Sequence, residues 1–188
     1  MEIPTNQFRK GLKVDIEDHP YEIVDFQHVS PGKGRAFTRT KLKSLLTSNV
    51  IERTITSGDK LKKADTDDLT MQYLYSDLEG FHFMDTSNYE QIAIESEVVG
   101  KTKDYLKENI EVNILKYNGR PIGISLPNFV ELKVTQCDPA FKGDTVQGST
   151  KPAALETGAN IQVPYHIKEG DMIRVDTRSD EYVEKVNK

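Results

Sequence analysis

The chain has 188 residues, of which 36% are hydrophobic and 29% charged, and a formal net charge of −5. This composition fits one to three compact units with thin cores, and no apolar run approaches the roughly 18 residues that a membrane span requires. Cys137 is the only cysteine, which excludes an internal disulfide and a cysteine-based metal cluster, and no signal peptide is evident. We therefore expect a cytoplasmic protein that has no contact with membranes.

The charges are unevenly distributed along the chain. Residues 1–63 carry 12 Lys/Arg and 8 Asp/Glu (net +4), residues 64–127 carry 5 and 12 (net −7), and residues 128–188 carry 8 and 10 (net −2). A basic first third indicates that this part contacts a polyanion while the acidic middle does not. A solvated strand face, on which Lys and Arg commonly alternate outward, is the alternative interpretation.

The first third contains strand-like runs at 12–15, 21–29, 36–46 and 50–55. Pro31-Gly32-Lys33-Gly34 separates the second run from the third; Pro31 presets one φ angle, and the two glycines permit the positive φ of a tight hairpin. The pattern predicts a finger with Lys33 at its end. An ordinary exposed hairpin lysine is the alternative.

The rest of the chain shows the same rhythm of short strands and turns. Runs at 69–75 and 81–85 predict one hairpin, and runs at 111–117 and 121–126 around Asn118-Gly119 predict another, with a short helix within 98–109. Further strands are predicted at 129–134, 159–163 and 172–176, with a long polar loop over 138–150. This pattern predicts an all-β chain of three small barrels in series, with boundaries after residues 63 and 127.

The sequence contains no motif that indicates an enzyme active site. The four histidines are scattered without the spacing of a metal site, and Gly32-Lys33-Gly34 lacks the glycine spacing and the following Ser/Thr of a phosphate-binding loop. No Gly-x-Ser-x-Gly elbow is present. We expect no catalytic residue, no metal and no cofactor, and therefore no enzyme.

Three separate motifs carry a resemblance to a known family. The first is Pro31-Gly32-Lys33-Gly34, the second lies at 71–75 and 83–85, and the third has the spacing of Lys151, Ala153, Gly158, Ile161, Val163, Pro164, Ile167 and Gly170. In this order and over its full length, the chain resembles bacterial translation elongation factor P. The resemblance implies an SH3-like (KOW-like) domain at 1–63, an OB fold at 64–127 and a C-terminal OB fold at 128–188, together shaped like tRNA and monomeric.

The resemblance also implies a function without chemistry on the factor itself. It implies binding to the ribosome between the peptidyl and exit tRNA sites, where the factor positions peptidyl-tRNA and relieves stalling at consecutive prolines. Lys33 aligns with the residue that reaches toward the peptidyl-transferase centre and that a lysine-modifying enzyme extends in many members. Pro31, Gly32 and Gly34 would shape the tip.

The remaining site residues are expected to bind RNA. They are Arg35, Arg39, Gly143, Asp144, Thr145, Tyr182 and Lys185. Ribosomal RNA, peptidyl-tRNA and messenger RNA in the exit site are the implied partners, and the loop with Gly143, Asp144 and Thr145 aligns with the one held near the messenger. The family often has Arg where this chain has Lys185. A lysine keeps the positive charge but lacks the planar guanidinium that makes a bidentate phosphate contact.

Two rival interpretations remain open from the residues alone. A swinging-arm carrier domain also presents a lysine at a hairpin tip, but its usual Asp-Lys or Met-Lys-Met flanks are absent here. A general single-strand RNA-binding protein would need basic grooves with stacking aromatics, and the net charge of −7 in the middle third argues against this.

Overall fold

The computed structural model describes residues 1–139 and 150–186. The chain divides into two compact units, Met1–Leu69 with Leu115–Gly123, and Thr70–Ile114 with Ile124–Lys188. Its helical segments are short: 3₁₀ turns at Thr5–Gln7 and Gly100–Tyr105, and α1 at Ser96–Val99. Among the described residues, no helix has the length and apolar character needed to cross a membrane.

The first sheet has six strands and lies in the first unit. They are β1 (Glu2–Pro4), β2 (Lys13–Ile16), β3 (His19–Val29), β4 (Phe37–Ser44), β5 (Val50–Thr56) and β6 (Lys60–Lys63), in the order β1-β6-β2-β3-β4-β5. Neighbouring strands are antiparallel. Val14, Ile23 and Leu42 are fully buried at the centre of its core.

Strand β4 shows how the sequence pattern places its side chains. Thr38, Thr40, Leu42 and Ser44 are buried, and Arg39, Lys41 and Lys43 alternate with them on the exposed face, because successive side chains of a strand point to opposite faces. The inner face of β4 is therefore polar except at Leu42, and Thr38 and Thr40 lie at the end of the strand next to the predicted finger.

The second sheet has five strands and contains both predicted hairpins. They are β7 (Thr66–Asp77), β8 (Gly80–Asp85), β9 (Gln91–Ile94), β10 (Glu111–Tyr117) and β11 (Arg120–Ser125), in the order β11-β10-β7-β8-β9. Met71, Phe83, Ile94 and Ile114 are its fully buried side chains. The predicted short helix is present, but it begins earlier than expected, at Ser96.

The third sheet belongs to the second unit. Its strands are β12 (Phe129–Cys137), β13 (Thr150–Leu155), β14 (Asn160–Pro164), β15 (Met172–Asp176) and β16 (Glu181–Lys185), in the order β14-β13-β12-β15-β16. The two outer strands, β14 and β16, lie close to one another, so the sheet curls back on itself as small barrels do. Leu132, Val134, Val163, Ile167, Ile173 and Val175 fill its interior.

Five short strands are missing from the sequence-based prediction: β1, β6, β9, β13 and β16. In strand β6 three of the four residues are lysines, which indicates no strand, and Leu61 packs against the core. The strand nevertheless pairs with both β1 and β2. Tertiary pairing overrides composition in such short segments. The boundaries after residues 63 and 127 stay a prediction.

Candidate functional site

The finger is the end of the β3–β4 hairpin. Strand pairing runs from Tyr21↔Ser44 to Val29↔Phe37, and residues 30–36 connect the two strands. Residues 30–35 are all exposed, with Lys33 at the midpoint of the seven-residue connection. The predicted finger with Lys33 at its end is thus present in the structure.

Only one of the two glycines of the tip has the backbone angle that glycine favours. Gly34 has φ +109°, whereas Gly32 is not among the residues with positive φ. The expectation that both glycines supply positive φ is therefore wrong for Gly32. Gly32 is therefore not required for a positive φ angle, and Gly34 is.

Side chains on both faces hold the hairpin just below the tip. On the inner face, the ring of Phe26 meets His28 edge-on at 5.6 Å between centroids, and a hydrogen bond joins His28 Nδ1 and Thr38 Oγ1 at 2.7 Å. On the outer face, the Arg39 guanidinium lies 5.9 Å from the centroid of the Phe37 ring. Arg39 is therefore exposed but already packed against an aromatic ring.

The cations of the first unit differ in how far they are neutralised. Among ion pairs between described residues, none involves Lys33 or Arg35, whereas Arg53 Nη2 lies 2.8 Å from Glu17 Oε1. Lys41 pairs in register with Asp25 on one side and Glu52 on the other. Lys33 and Arg35 at the tip thus lack an ion-pair partner among the described residues, whereas Arg53 is neutralised.

The predicted RNA-binding residues of the last third lie in the other unit. Gly143, Asp144 and Thr145 fall outside the described residues. Tyr182 is half-buried on β16, where burial raises the pKa of its hydroxyl. It lines a groove of about 560 Å³ between the outer strands of the third sheet, together with Thr150, Asn160, Gln162, Asp180 and others.

Lys185 is not a free cation. Its Nζ lies 2.9 Å from Asp171 Oδ1, and Asp171 Oδ2 accepts the backbone N–H of Lys168. Burial acts to raise the pKa of Asp171, but these bonds outweigh it and the pKa is lowered. Any phosphate contact by Lys185 would have to compete with an internal carboxylate.

One cluster on the β7–β8 turn has the residue types of a metal site. Ligand atoms of Asp77, Glu79 and His82 lie within 4.8 Å of one another, and the paired-histidine spacing by which many metal sites are recognised in a sequence is absent from this group. Asp77 Oδ1 accepts the backbone N–H groups of Glu79 and Gly80, and Asp77 Oδ2 lies 2.9 Å from His82 Nε2. These contacts cap a tight turn.

Comparison with known protein families covers nearly all of the chain. Residues 4–61 match the elongation factor P (EF-P) KOW-like domain, residues 66–124 match the EF-P OB domain, and residues 130–185 match the elongation factor P C-terminal domain. The three matched segments follow the order of the three sheets along the chain.

Relatives of similar length agree with these matches. Elongation factor P of Moorella thermoacetica is 50% identical over 183 residues, which cover 97% of this chain and 99% of the relative. Elongation factor P of Wolinella succinogenes is 50% identical over 96% of this chain and 97% of the relative. Elongation factor P of Pelotomaculum thermopropionicum is 46% identical over 98% of this chain and 100% of the relative.

Solved structures support the fold alone. Eukaryotic translation initiation factor 5A from Methanococcus jannaschii superposes with a TM-score of 0.57 at 22% identity, covering 67% of this chain and 92% of that one. A translation initiation factor 5A family protein from Naegleria fowleri superposes with a TM-score of 0.55 at 15% identity, covering 67% of this chain and 98% of that one. Three matched domains and relatives near 50% identity over almost the whole length show that this chain belongs to the elongation factor P family of translation factors.

Proposed function

We propose that the chain binds the ribosome between the peptidyl and exit tRNA sites and stimulates peptide bond formation where translation stalls, above all at consecutive prolines. The observation that carries the proposal is the position of Lys33. It stands at the midpoint of an exposed connection, at the end of the eleven-residue strand β3, without an ion-pair partner among the described residues.

The proposed mechanism is positioning rather than bond making. Proline is a constrained nucleophile, so much of the barrier lies in bringing it and the peptidyl ester into a reactive geometry. A side chain that holds peptidyl-tRNA in place lowers this entropic part of the barrier, and the ribosome supplies the chemistry. The factor is therefore proposed to act without a catalytic residue, metal or cofactor of its own.

The proposed contacts lie at the finger and in the last third of the chain. Arg35 and Arg39 contact phosphates of peptidyl-tRNA or ribosomal RNA beside the tip. Tyr182, Lys185 and the loop with Gly143, Asp144 and Thr145 face the exit site and its messenger RNA. The protein works as a cytoplasmic monomer with domains at 1–63, 64–127 and 128–188, and the exposed Lys33 is accessible to a lysine-modifying enzyme.

Sedimentation with defined ribosomes tests the partner and the place. Ribosomes stalled on a proline-proline codon pair, with peptidyl-tRNA in place, should carry the protein into the pellet, and ribosomes with an empty peptidyl site should carry much less. Binding should weaken steadily as salt rises, because phosphate contacts release counterions. Equal binding to both ribosomes, or binding that salt does not affect, would contradict the proposal.

A further inference from the structure

The contact between His28 and Thr38 lies symmetrically about Lys33. His28 is five residues before Lys33 and Thr38 five residues after it. The two residues pair directly across β3 and β4, and only the pair Val29↔Phe37 separates them from the connecting loop. Among side-chain hydrogen bonds between described residues, theirs is the nearest to Lys33 along the chain.

We propose that this contact is a latch that fixes the position of Lys33, which makes His28 a positioning residue for the reaction assigned above. The inference rests on the proposed function and extends it to a residue outside the Pro31-Gly32-Lys33-Gly34 tip.

The first support is the environment of Thr38. Its side chain is fully buried, and a buried hydroxyl without a hydrogen-bond partner destabilises the folded state. Thr40, the next inward-facing residue on β4, has a buried hydroxyl with no hydrogen-bond partner among the described residues. No other hydrogen bond between described residues involves Thr38 Oγ1, so Thr38 depends on His28 for its bond.

The second support is that His28, although exposed, also contacts a side chain that packs against the core. Phe26 packs against the core cluster of the first sheet and meets the His28 ring edge-on, at 72° between planes. A continuous path of contacts therefore leads from the core through Phe26 and His28 to Thr38, one residue pair before the connecting loop.

The third support is the distance of Lys33 from the base of the loop. Residues 30–35 pair with no strand, and Ala36 accepts a hydrogen bond from the Ser57 N–H at 2.9 Å, so the orientation of the tip depends on the contacts at its base. A small rotation there becomes a larger displacement at Lys33. A displacement of about 1 Å from a reactive geometry can cost about 10²-fold in rate.

The test uses variants on both sides of the contact, with Lys33→Ala as the reference for the proposed function. His28→Ala removes the ring, and Thr38→Val replaces the hydroxyl with a methyl group of similar shape. His28→Asn restores a polar atom near the position of Nδ1. His19→Ala is the matched control, because His19 lies at the opposite end of β3, is exposed as His28 is, and its Nδ1 forms a hydrogen bond with the backbone oxygen of Glu17.

Two quantities are measured for each variant: affinity for stalled ribosomes, and the rate of proline-proline bond formation at saturating factor. His28→Ala and Thr38→Val should each lower the rate by about 10-fold or more and leave affinity within about twofold of the wild type. The double variant should be no slower than the slower single variant, because one contact is removed in all three. His28→Asn should recover part of the rate, and His19→Ala should match the wild type.

The outcomes separate the latch from the function on which it rests. If Lys33→Ala stimulates normally, the proposed function fails. If Lys33→Ala is inactive while His28→Ala and Thr38→Val keep the wild-type rate, only the latch fails. Multiplicative losses in the double variant, or losses confined to affinity, would also overturn the latch. Should His28→Ala unfold, Thr38→Val and His28→Asn give the same decision.

Discussion

Gly34 is the residue whose backbone the finger needs most. Its φ of +109° lies where side chains with a β-carbon rarely settle, whereas Gly32 has an ordinary φ and open space at its Cβ position. We predict that Gly34→Ala lowers the rate of proline-proline bond formation and that Gly32→Ala, the matched control, leaves it nearly unchanged. Equal rates for the two variants in a reconstituted translation assay would contradict this role for Gly34.

Tyr105 gives the second unit a pH-dependent contribution to stability. Its hydroxyl donates to Asp180 Oδ1 at 2.7 Å, and burial, followed by this bond and the Asp180 charge, raises its pKa. Because the folded state favours the neutral phenol, the contribution is complete below about pH 10 and is lost as pH rises beyond this value.

Tyr105→Phe should therefore lower the free energy of unfolding by about 1 kcal/mol at pH 7 and flatten its decline above pH 10. Tyr117 and Tyr182 also have raised pKa values, so part of the decline should remain. Chemical denaturation at pH 7 and at several alkaline values checks both effects. A variant with an unchanged alkaline decline would show that Tyr105 does not supply it.

The sequence predicted where positive charge accumulates, but it did not show which Lys and Arg side chains form ion pairs. Lys33 and Arg35 are unpaired among the described residues, but Arg53 and Lys185, which look similar in the sequence, are bound to Glu17 and Asp171. These partners lie 36 and 14 positions away along the chain. Only the folded sheets bring them together, so no local pattern could have revealed them.

The family signature in the last third is explained at the level of elements. Lys151, Ala153, Ile161, Val163 and Ile167 are all buried in the third sheet. Gly158 and Gly170 have φ of +91° and +86° at the turns after β13 and before β15. Most of the signature therefore specifies a core and its turns, which is why it identified the fold more surely than the binding surface.

Two glycine turns of the second sheet differ in how much space they leave. A Cβ on Gly80 would lie 2.4 Å from the backbone oxygen of Ile94, while a Cβ on Gly119 would meet nothing within 4 Å. Both glycines have positive φ, so alanine is strained at either, but only Gly80→Ala forces β8 away from β9.

We predict that Gly80→Ala lowers the free energy of unfolding by about 2–4 kcal/mol and that Gly119→Ala lowers it by about 1 kcal/mol. Thermal and urea unfolding of the two variants measures the difference. If both variants lose the same free energy of unfolding, the close approach between Gly80 and β9 does not contribute to the destabilisation.

The elements that the sequence predicted well are those with a regular pattern. The hairpins β3–β4 and β10–β11 have alternating strands and Gly-containing turns, and both are present at nearly the expected positions. Strands β1 and β6 have three and four residues. Strand β1 pairs with β6, and β6 pairs with β2 on its other side. Strands this short form by tertiary pairing, which local sequence does not encode.

At the scale of the whole molecule, the basic first third is proposed to supply the salt-dependent part of ribosome binding. Arg35 has no ion-pair partner among the described residues, and Arg53 is paired with Glu17, which makes them a matched test. Arg35→Gln should reduce the slope of log affinity against log salt by about one, and Arg53→Gln should change it less. Equal slopes for both variants would show that Arg35 does not contact phosphate.

The most direct test of the account is the rate of a single proline-proline bond, measured together with ribosome affinity for Lys33→Ala. Lys43→Ala is the matched control, because Lys43 is an exposed lysine on β4 beyond the region of the tip. We predict that Lys33→Ala binds stalled ribosomes nearly as well as the wild type but stimulates no bond formation, while Lys43→Ala does both normally. Wild-type stimulation by Lys33→Ala would contradict the central claim that this lysine is the effector.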